Sequence, residues 1–214
     1  LRPVGFKYRS KRESASWRSG WDWALFVGGF VPALIFGVAV GNAIQGVPFK
    51  LDDTMRMTYE GGLVMGLLNL LNPFALLAGL VSAMMLITHG ASWLTIKIEK
   101  GVVRDRAAAV GSITALVTLA LYALAGVWLF LGVKGYVITN EIDPGMMPNP
   151  LRKEVAIEQG AWMANYAKYP WMILAPLLGL AGAVVAFLGL RAKTALSMVG
   201  LSLIHISEPT RQDR

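Results

Sequence analysis

Four long stretches of this chain contain no aspartate, glutamate, lysine or arginine: residues 23–49, 61–96, 107–133 and 169–190. A hydrocarbon core of ~30 Å takes about 20 apolar residues of α-helix to cross. Within it, every backbone amide must find its partner inside the chain, which leaves helices as the natural solution. Each of the four stretches is long enough to span, and a fifth, residues 194–207, is too short. The second stretch is too long for one straight span, and Asn72-Pro73 divides it. Asparagine caps a helix N-terminus, and proline suits the first helical position because its missing N–H would be unbonded there. Spanning helices are therefore predicted near residues 21–46, 73–97, 105–133 and 168–191, antiparallel in sequence. Residues 61–71 become an interfacial or re-entrant piece, and some helix is predicted over residues 154–166 of the connection 134–167. The predicted class is an all-α polytopic membrane helix bundle. It has four complete transmembrane helices, the end of a preceding one and the start of a following one.

The charges are few and clustered. They make up 15% of the chain, against about 25% in soluble domains. The balance of 20 Lys and Arg to 13 Asp and Glu gives a net charge of +7. The basic residues flank apolar runs, so they point to orientation in a bilayer and away from nucleic acid. One set of loops carries Arg2, Lys7, Arg9, Lys11, Arg12, Arg18, Lys97, Lys100, Arg104, Arg106, Arg191 and Lys193. The other carries half as many, Lys50, Arg56, Lys134, Arg152, Lys153 and Lys168, together with most of the acids. The positive-inside rule puts the first set, and residue 1, on the cytoplasmic side. Trp17, Trp21, Trp23, Trp93, Trp162 and Trp171 fall near predicted helix ends, where interfacial aromatics gather. Absence of cysteine excludes disulfides, thiolate metal sites and thiol nucleophiles.

In the first spanning helix Gly29, Ala33, Gly37 and Gly41 recur every fourth residue, which puts small residues on one face and invites close backbone approach. Packing within the subunit is the expected use, and a subunit-dimer face the sharper alternative. Pro32 removes the donor to the Gly28 carbonyl and is expected to kink this helix.

Few residues are suited to chemistry. There is no phosphate-binding glycine loop and no serine elbow, and no catalytic, cofactor-binding or metal residue is assigned. His89 stands with no second histidine at ligand spacing, which favours a hydrogen-bonded or interfacial role over haem ligation or proton relay. Asp22, between Trp21 and Trp23, and Arg2, before Pro3, flank a short basic segment that joins two antiparallel helices. Ionisable groups near membrane depth tend to be paired or functional, so Arg2 and Asp22 are the candidate proton-transfer or structural charge pair. Helix capping by Asp22 and lipid anchoring by Arg2 are the competing roles.

Residues 201–211, Leu-Ser-Leu-Ile-His-Ile-Ser-Glu-Pro-Thr-Arg, coincide with the in-frame translation of an adapter used in transposase-based sequencing libraries. Residues 201–214 are accordingly expected to be adapter-derived, with residues 1–200 the transmembrane part. The start at Leu1-Arg2-Pro3, without methionine, is expected to reflect missing upstream sequence.

Several segments in order resemble one family. They are Arg2-Pro3-Val4-Gly5-Phe6-Lys7-Tyr8-Arg9-Ser10-Lys11, Trp21-Asp22-Trp23, Gly41-Asn42-Ala43-Ile44-Gln45-Gly46-Val47-Pro48-Phe49 and Leu71-Asn72-Pro73-Phe74-Ala75-Leu76-Leu77-Ala78-Gly79. Ala125-Gly126-Val127-Trp128, Asn149-Pro150-Leu151-Arg152-Lys153-Glu154-Val155 and Gly160-Ala161-Trp162 follow. Together they resemble subunit II of the cytochrome bd-type quinol oxidases, over about residues 1–200. The resemblance implies a bacterial inner-membrane subunit of a complex that oxidises quinol and reduces oxygen to water, taking protons from the cytoplasm. It implies haems b and d and the quinol site in a partner subunit I, and a bound quinone in some full-length members. Arg2 and Asp22 match positions where family members carry charges tied to activity or assembly. Lys7 departs from the pattern, since many relatives have aspartate there; Lys7 and His89 are the weaker site candidates. The alternative is a fragment of a multi-pass transporter, to which broken helices and glycine ladders are also suited.

Overall fold

The long uncharged stretches are helices. The computed structural model describes residues 2–47, 49–54, 56–58, 62–140, 145, 147 and 153–205, with backbone only for Arg2, Leu51, Leu63 and 203–205. Helix α1 (Arg2–Tyr8) passes through a 3-10 turn (Arg9–Lys11) to α2 (Ala15–Gln45). A small ladder of β1 (Lys50–Leu51) and β2 (Met57–Thr58) precedes α3 (Gly62–Asn69), α4 (Pro73–Lys97) and α5 (Val102–Gly132). Then come β3 (Lys134–Ile138), β4 (Val155–Gln159), α6 (Ala161–Lys168), a 3-10 turn (Pro170–Ile173), α7 (Leu174–Arg191) and α8 (Leu196–His205). Four helices, Ala15–Gln45, Pro73–Lys97, Val102–Gly132 and Pro170–Arg191, are long and apolar enough to cross a membrane. Their outward residues are as apolar as their inward ones: Phe26, Val31, Ile35, Phe36 and Val40 on α2 are all exposed in the chain. This surface suits hydrocarbon or other helices.

The chain divides into two compact units, one of Leu1–Asn42 and Pro48–Leu86, the other of Ala43–Val47 and Ile87 onward. In the first, α2 and the first part of α4 run antiparallel at close range. The Ser82 hydroxyl donates to the Ala33 carbonyl (2.9 Å), Gly37 faces Ala78 and Gly79, and Gly41 faces Ala75. Ala33, Gly37 and Gly41 are all buried, so the glycine ladder serves packing within the chain. The helix continues through Pro32. At the end of this contact the buried Asn42 carboxamide donates to the carbonyls of Val38 (2.9 Å) and Leu70 (2.7 Å). It accepts from the Asn72 amide (3.0 Å), whose own oxygen accepts the Ala75 N–H (2.8 Å). Asn72 thus caps α4 as predicted, with Pro73 at the first helical position.

In the same unit Asp52 closes the β1–β2 turn. Its carboxylate accepts from the Thr54 hydroxyl (2.7 Å), the Arg56 N–H (2.8 Å) and the Thr54 N–H (2.9 Å). The Thr54 hydroxyl above all, then these N–H groups, hold the Asp52 carboxyl below its ordinary value. A depressed folded-state pKa contributes stability that is complete above the ordinary carboxylate value and is lost as pH falls through the depressed one. Amide-exchange protection at Thr54 and Arg56 is therefore expected to be level near neutrality and to fall on acidification through that range. Asp52→Asn should flatten this dependence; protection that ignores pH in the unsubstituted protein would contradict it.

In the second unit the rest of α4, then α5, α7 and α8, pack antiparallel in sequence. The Thr88 hydroxyl donates to that of Thr114 (2.9 Å), and Gly111 lies against Ala91 and Leu190. Gly179 lies near Tyr122, and Gly189 and Gly200 bring α7 and α8 to backbone contact around Ser197 and Ala186. Beyond α5, β3 pairs antiparallel with β4, Lys134 opposite Gln159 and Ile138 opposite Val155. The helix predicted over 154–166 is confined to α6, and residues 155–159 form a strand instead. Val155 and Ile157 are β-branched and are matched across the ladder by Ile138 and Tyr136, a pairing worth more than a lone helical turn. Residues 201–205 extend α8, with Leu201 buried. The side chains of 203–205, and residues 206–214, lie outside the described residues.

Candidate functional site

The basic segment before α2 folds back on that helix. Gly5 allows this: a Cβ there would come within 2.7 Å of the Leu25 side chain. The Trp17 indole donates to the Tyr8 carbonyl (2.9 Å), which ends α1 and turns the chain. Tyr8 stacks on Trp21 at 6.1 Å, and Trp17 meets Trp21 edge-on at 5.9 Å. Lys11 lies over the Tyr8 ring and Arg12 over that of Trp17. Cations on aromatic faces are the chemistry of a bilayer–water boundary.

This turn places Arg9 against Asp22. The Arg9 guanidinium donates through Nε to Oδ1 (2.5 Å) and through Nη2 to Oδ2 (3.0 Å), a two-pronged pair. The hydrogen bond to Asp22, then its charge, raises the Arg9 pKa above its ordinary value. The two side chains are 45% and 52% exposed, so the pair is an accessible staple and not a buried ion pair. Both carboxylate oxygens are engaged by Arg9.

Of the sequence candidates, Asp22 therefore lies at this corner with Arg9. Arg2 is on α1, and its side chain lies outside the described residues. Lys7 is exposed on α1, and His89 is half-buried within α4. Arg9 was one of six cations in the first eighteen residues, and sequence spacing gave no means to choose it.

The family model for cytochrome bd terminal oxidase subunit II matches residues 1–207. The chain belongs to that family. The subunit II match reaches into the segment read as adapter-derived. Among its relatives, a probable cytochrome oxidase subunit 2 of Haemophilus influenzae is 49% identical over 86% of this chain and 47% of that protein. The cytochrome bd-I ubiquinol oxidase subunit 2 of Escherichia coli K12 is 46% identical over 95% of this chain and 52% of its own length. A cytochrome bd ubiquinol oxidase subunit 2 of Bacillus subtilis is 24% identical over 45% of the chain and 26% of its own. The chain spans about half the length of the first two.

His89 is the one histidine whose side chain is described, and among the described residues no group of three or more His, Cys, Asp or Glu is placed to hold a metal.

Proposed function

We propose that this chain is part of subunit II of a terminal quinol oxidase, a complex that oxidises quinol and reduces oxygen to water in the bacterial inner membrane. The observation that carries this is the family match over residues 1–207, supported by four spanning helices. The haems b and d and the quinol site are assigned to a partner subunit I, with no haem held by this chain and quinone binding left to the full-length subunit. Membrane lipid surrounds the helices. Residue 1 is assigned to the cytoplasmic side from the twelve-to-six distribution of basic residues between loop sets.

In this reading Asp22 and Arg9 fix the basic turn at the cytoplasmic boundary, and Arg2 and Asp22 remain the candidates for proton entry. In the full-length oxidase Asp22→Asn is expected to lower quinol oxidase turnover or haem content roughly two- to tenfold, short of the ~10²-fold or greater loss of a group in the chemical step. Arg9→Gln should have a similar effect, and the double variant should be no worse than either alone, because the two substitutions break one interaction. Arg2→Gln should act independently if it serves a proton route. Full activity with normal assembly in Asp22→Asn would sink the functional role of this corner. A full-length protein that assembles with no haem-bearing subunit would sink the oxidase reading itself.

A further inference from the structure

In the second unit, the ends of four helices meet at a corner that nothing above uses. The Arg104 guanidinium donates to the carbonyls of Thr95 (2.8 Å) and Lys193 (3.0 Å). Both acceptors are neutral. Lys193, at φ 53°, turns the chain from α7 towards α8, and its ammonium pairs with Asp105. Around this frame the α4–α5 and α7–α8 turns carry Lys97, Lys100, Arg104, Arg106, Arg191 and Lys193 against only Glu99 and Asp105. The start of α5 adds the partial positive charge of its free N–H groups.

Two cavities open here. One, of about 500 Å³, is lined by Lys100, Gly101, Arg104, Asp105, Ala192 and Lys193. The other, of about 470 Å³, is an open groove down the α5–α7 seam, where Ala109, Ile113, Leu116 and Phe187 form the apolar wall. Asp105 and Lys193 line both, so the basic cavity adjoins the apolar groove. Arg191, over the Phe187 ring, lines the groove.

We propose that this corner binds an anionic phospholipid, the phosphate in the basic cavity and an acyl chain along the α5–α7 groove. Charge selects the head: a phosphodiester with a net negative charge suits a cluster with four more cations than acids, whereas a zwitterionic head brings its own cation. Position selects the class: the cations sit at the helix ends, at headgroup level, and the groove runs from them along the spanning part. A soluble anion would leave the groove unfilled, and an uncharged lipid would leave the net charge of the cluster uncompensated.

The test uses the full-length subunit in its oxidase complex, reconstituted in phosphatidylcholine nanodiscs with spin-labelled or photoreactive phosphatidylglycerol. Phosphatidylglycerol should be retained over an equally labelled phosphatidylcholine, and its cross-links should fall within residues 105–116 and 187–193. Lys100→Gln and Arg191→Gln should each lower that preference roughly fivefold, in line with one surface cation near an anionic headgroup. Lys100→Arg should preserve it. Ala109→Phe, which fills the groove and leaves every charge in place, should weaken retention while the helices stay folded by circular dichroism. Equal retention of the two lipids, cross-links elsewhere, or a preference unmoved by both neutralisations would overturn the proposal. Full displacement by inorganic phosphate would also overturn it, by showing a site for a free anion.

Discussion

Gly37→Val is expected to drive α2 and α4 apart and to lower the folded fraction of the subunit more than any substitution on the outward face of α2. A Cβ at Gly37 would lie 2.5 Å from the Ala78 carbonyl oxygen, 2.6 Å from the Ser82 Cβ and 2.7 Å from the Gly79 Cα. Two of these atoms are backbone and cannot move aside as a side-chain tip does. From the other side, a Cβ at Gly79 would meet the Leu34 carbonyl oxygen at 2.8 Å. Overpacking a filled interface costs about 1–3 kcal/mol, and in a membrane, where close van der Waals contact drives helix association, little else replaces what is lost. Thermal denaturation in detergent, followed by circular dichroism, should show Gly37→Ala destabilised and Gly37→Val more so. Phe36→Ala, at a side chain 73% exposed in the chain, serves as the control. An unchanged midpoint for Gly37→Val would mean that the two helices are not in this contact.

Asn42→Asp should be the second severe change, and worse than Asn42→Leu. Asn42 is 5% exposed and uses both amide hydrogens on carbonyls, Val38 and Leu70, while its oxygen accepts from Asn72. Leucine removes the donors and strands the Leu70 carbonyl and the Asn72 amide; each buried orphan costs about 1–3 kcal/mol. Ionised aspartate adds a worse fault, since it sets an acceptor oxygen, where the Nδ2 donor stood, against two carbonyls and buries a charge. Acidification should then recover part of the Asn42→Asp loss by restoring one O–H donor, and it should not help Asn42→Leu. Equal stability of the two variants at neutral pH, or no recovery on acidification, would show that the carboxamide is not donating as described.

The residues that made the helices legible are those whose effect is local. Asn72-Pro73 marks the start of α4 because capping and the proline ring act within one turn, and the uncharged runs mark the spans because hydrocarbon tolerates no other pattern. Two features depend on distant pairing and were not legible in this way. Residues 155–159 form a strand only because Lys134–Ile138 lies beside them, about twenty residues earlier in the chain. The partner of Asp22 is Arg9 because the Trp17 bond to the Tyr8 carbonyl sets the turn, and nothing in the spacing of six nearby cations reveals that choice. The basic corner at Arg104 and Lys193 was visible as a charge cluster, but its groove follows from alanines on α5 meeting α7, which is a matter of packing.

The β3–β4 ladder also bears on how the gene can vary. Lys134 pairs with Gln159 directly after α5 and directly before α6, and the Gln159 side chain donates back to the Leu131 carbonyl. The long excursion between the helices is therefore closed at its neck, and the end of α5 and the start of α6 are held as if by a short linker. Residues gained or lost between Asn140 and Lys153 change a connection whose two ends the ladder already holds. Homologues can therefore differ in the size of this excursion, and a tag or reporter can be inserted there, without disturbing the membrane part of the subunit.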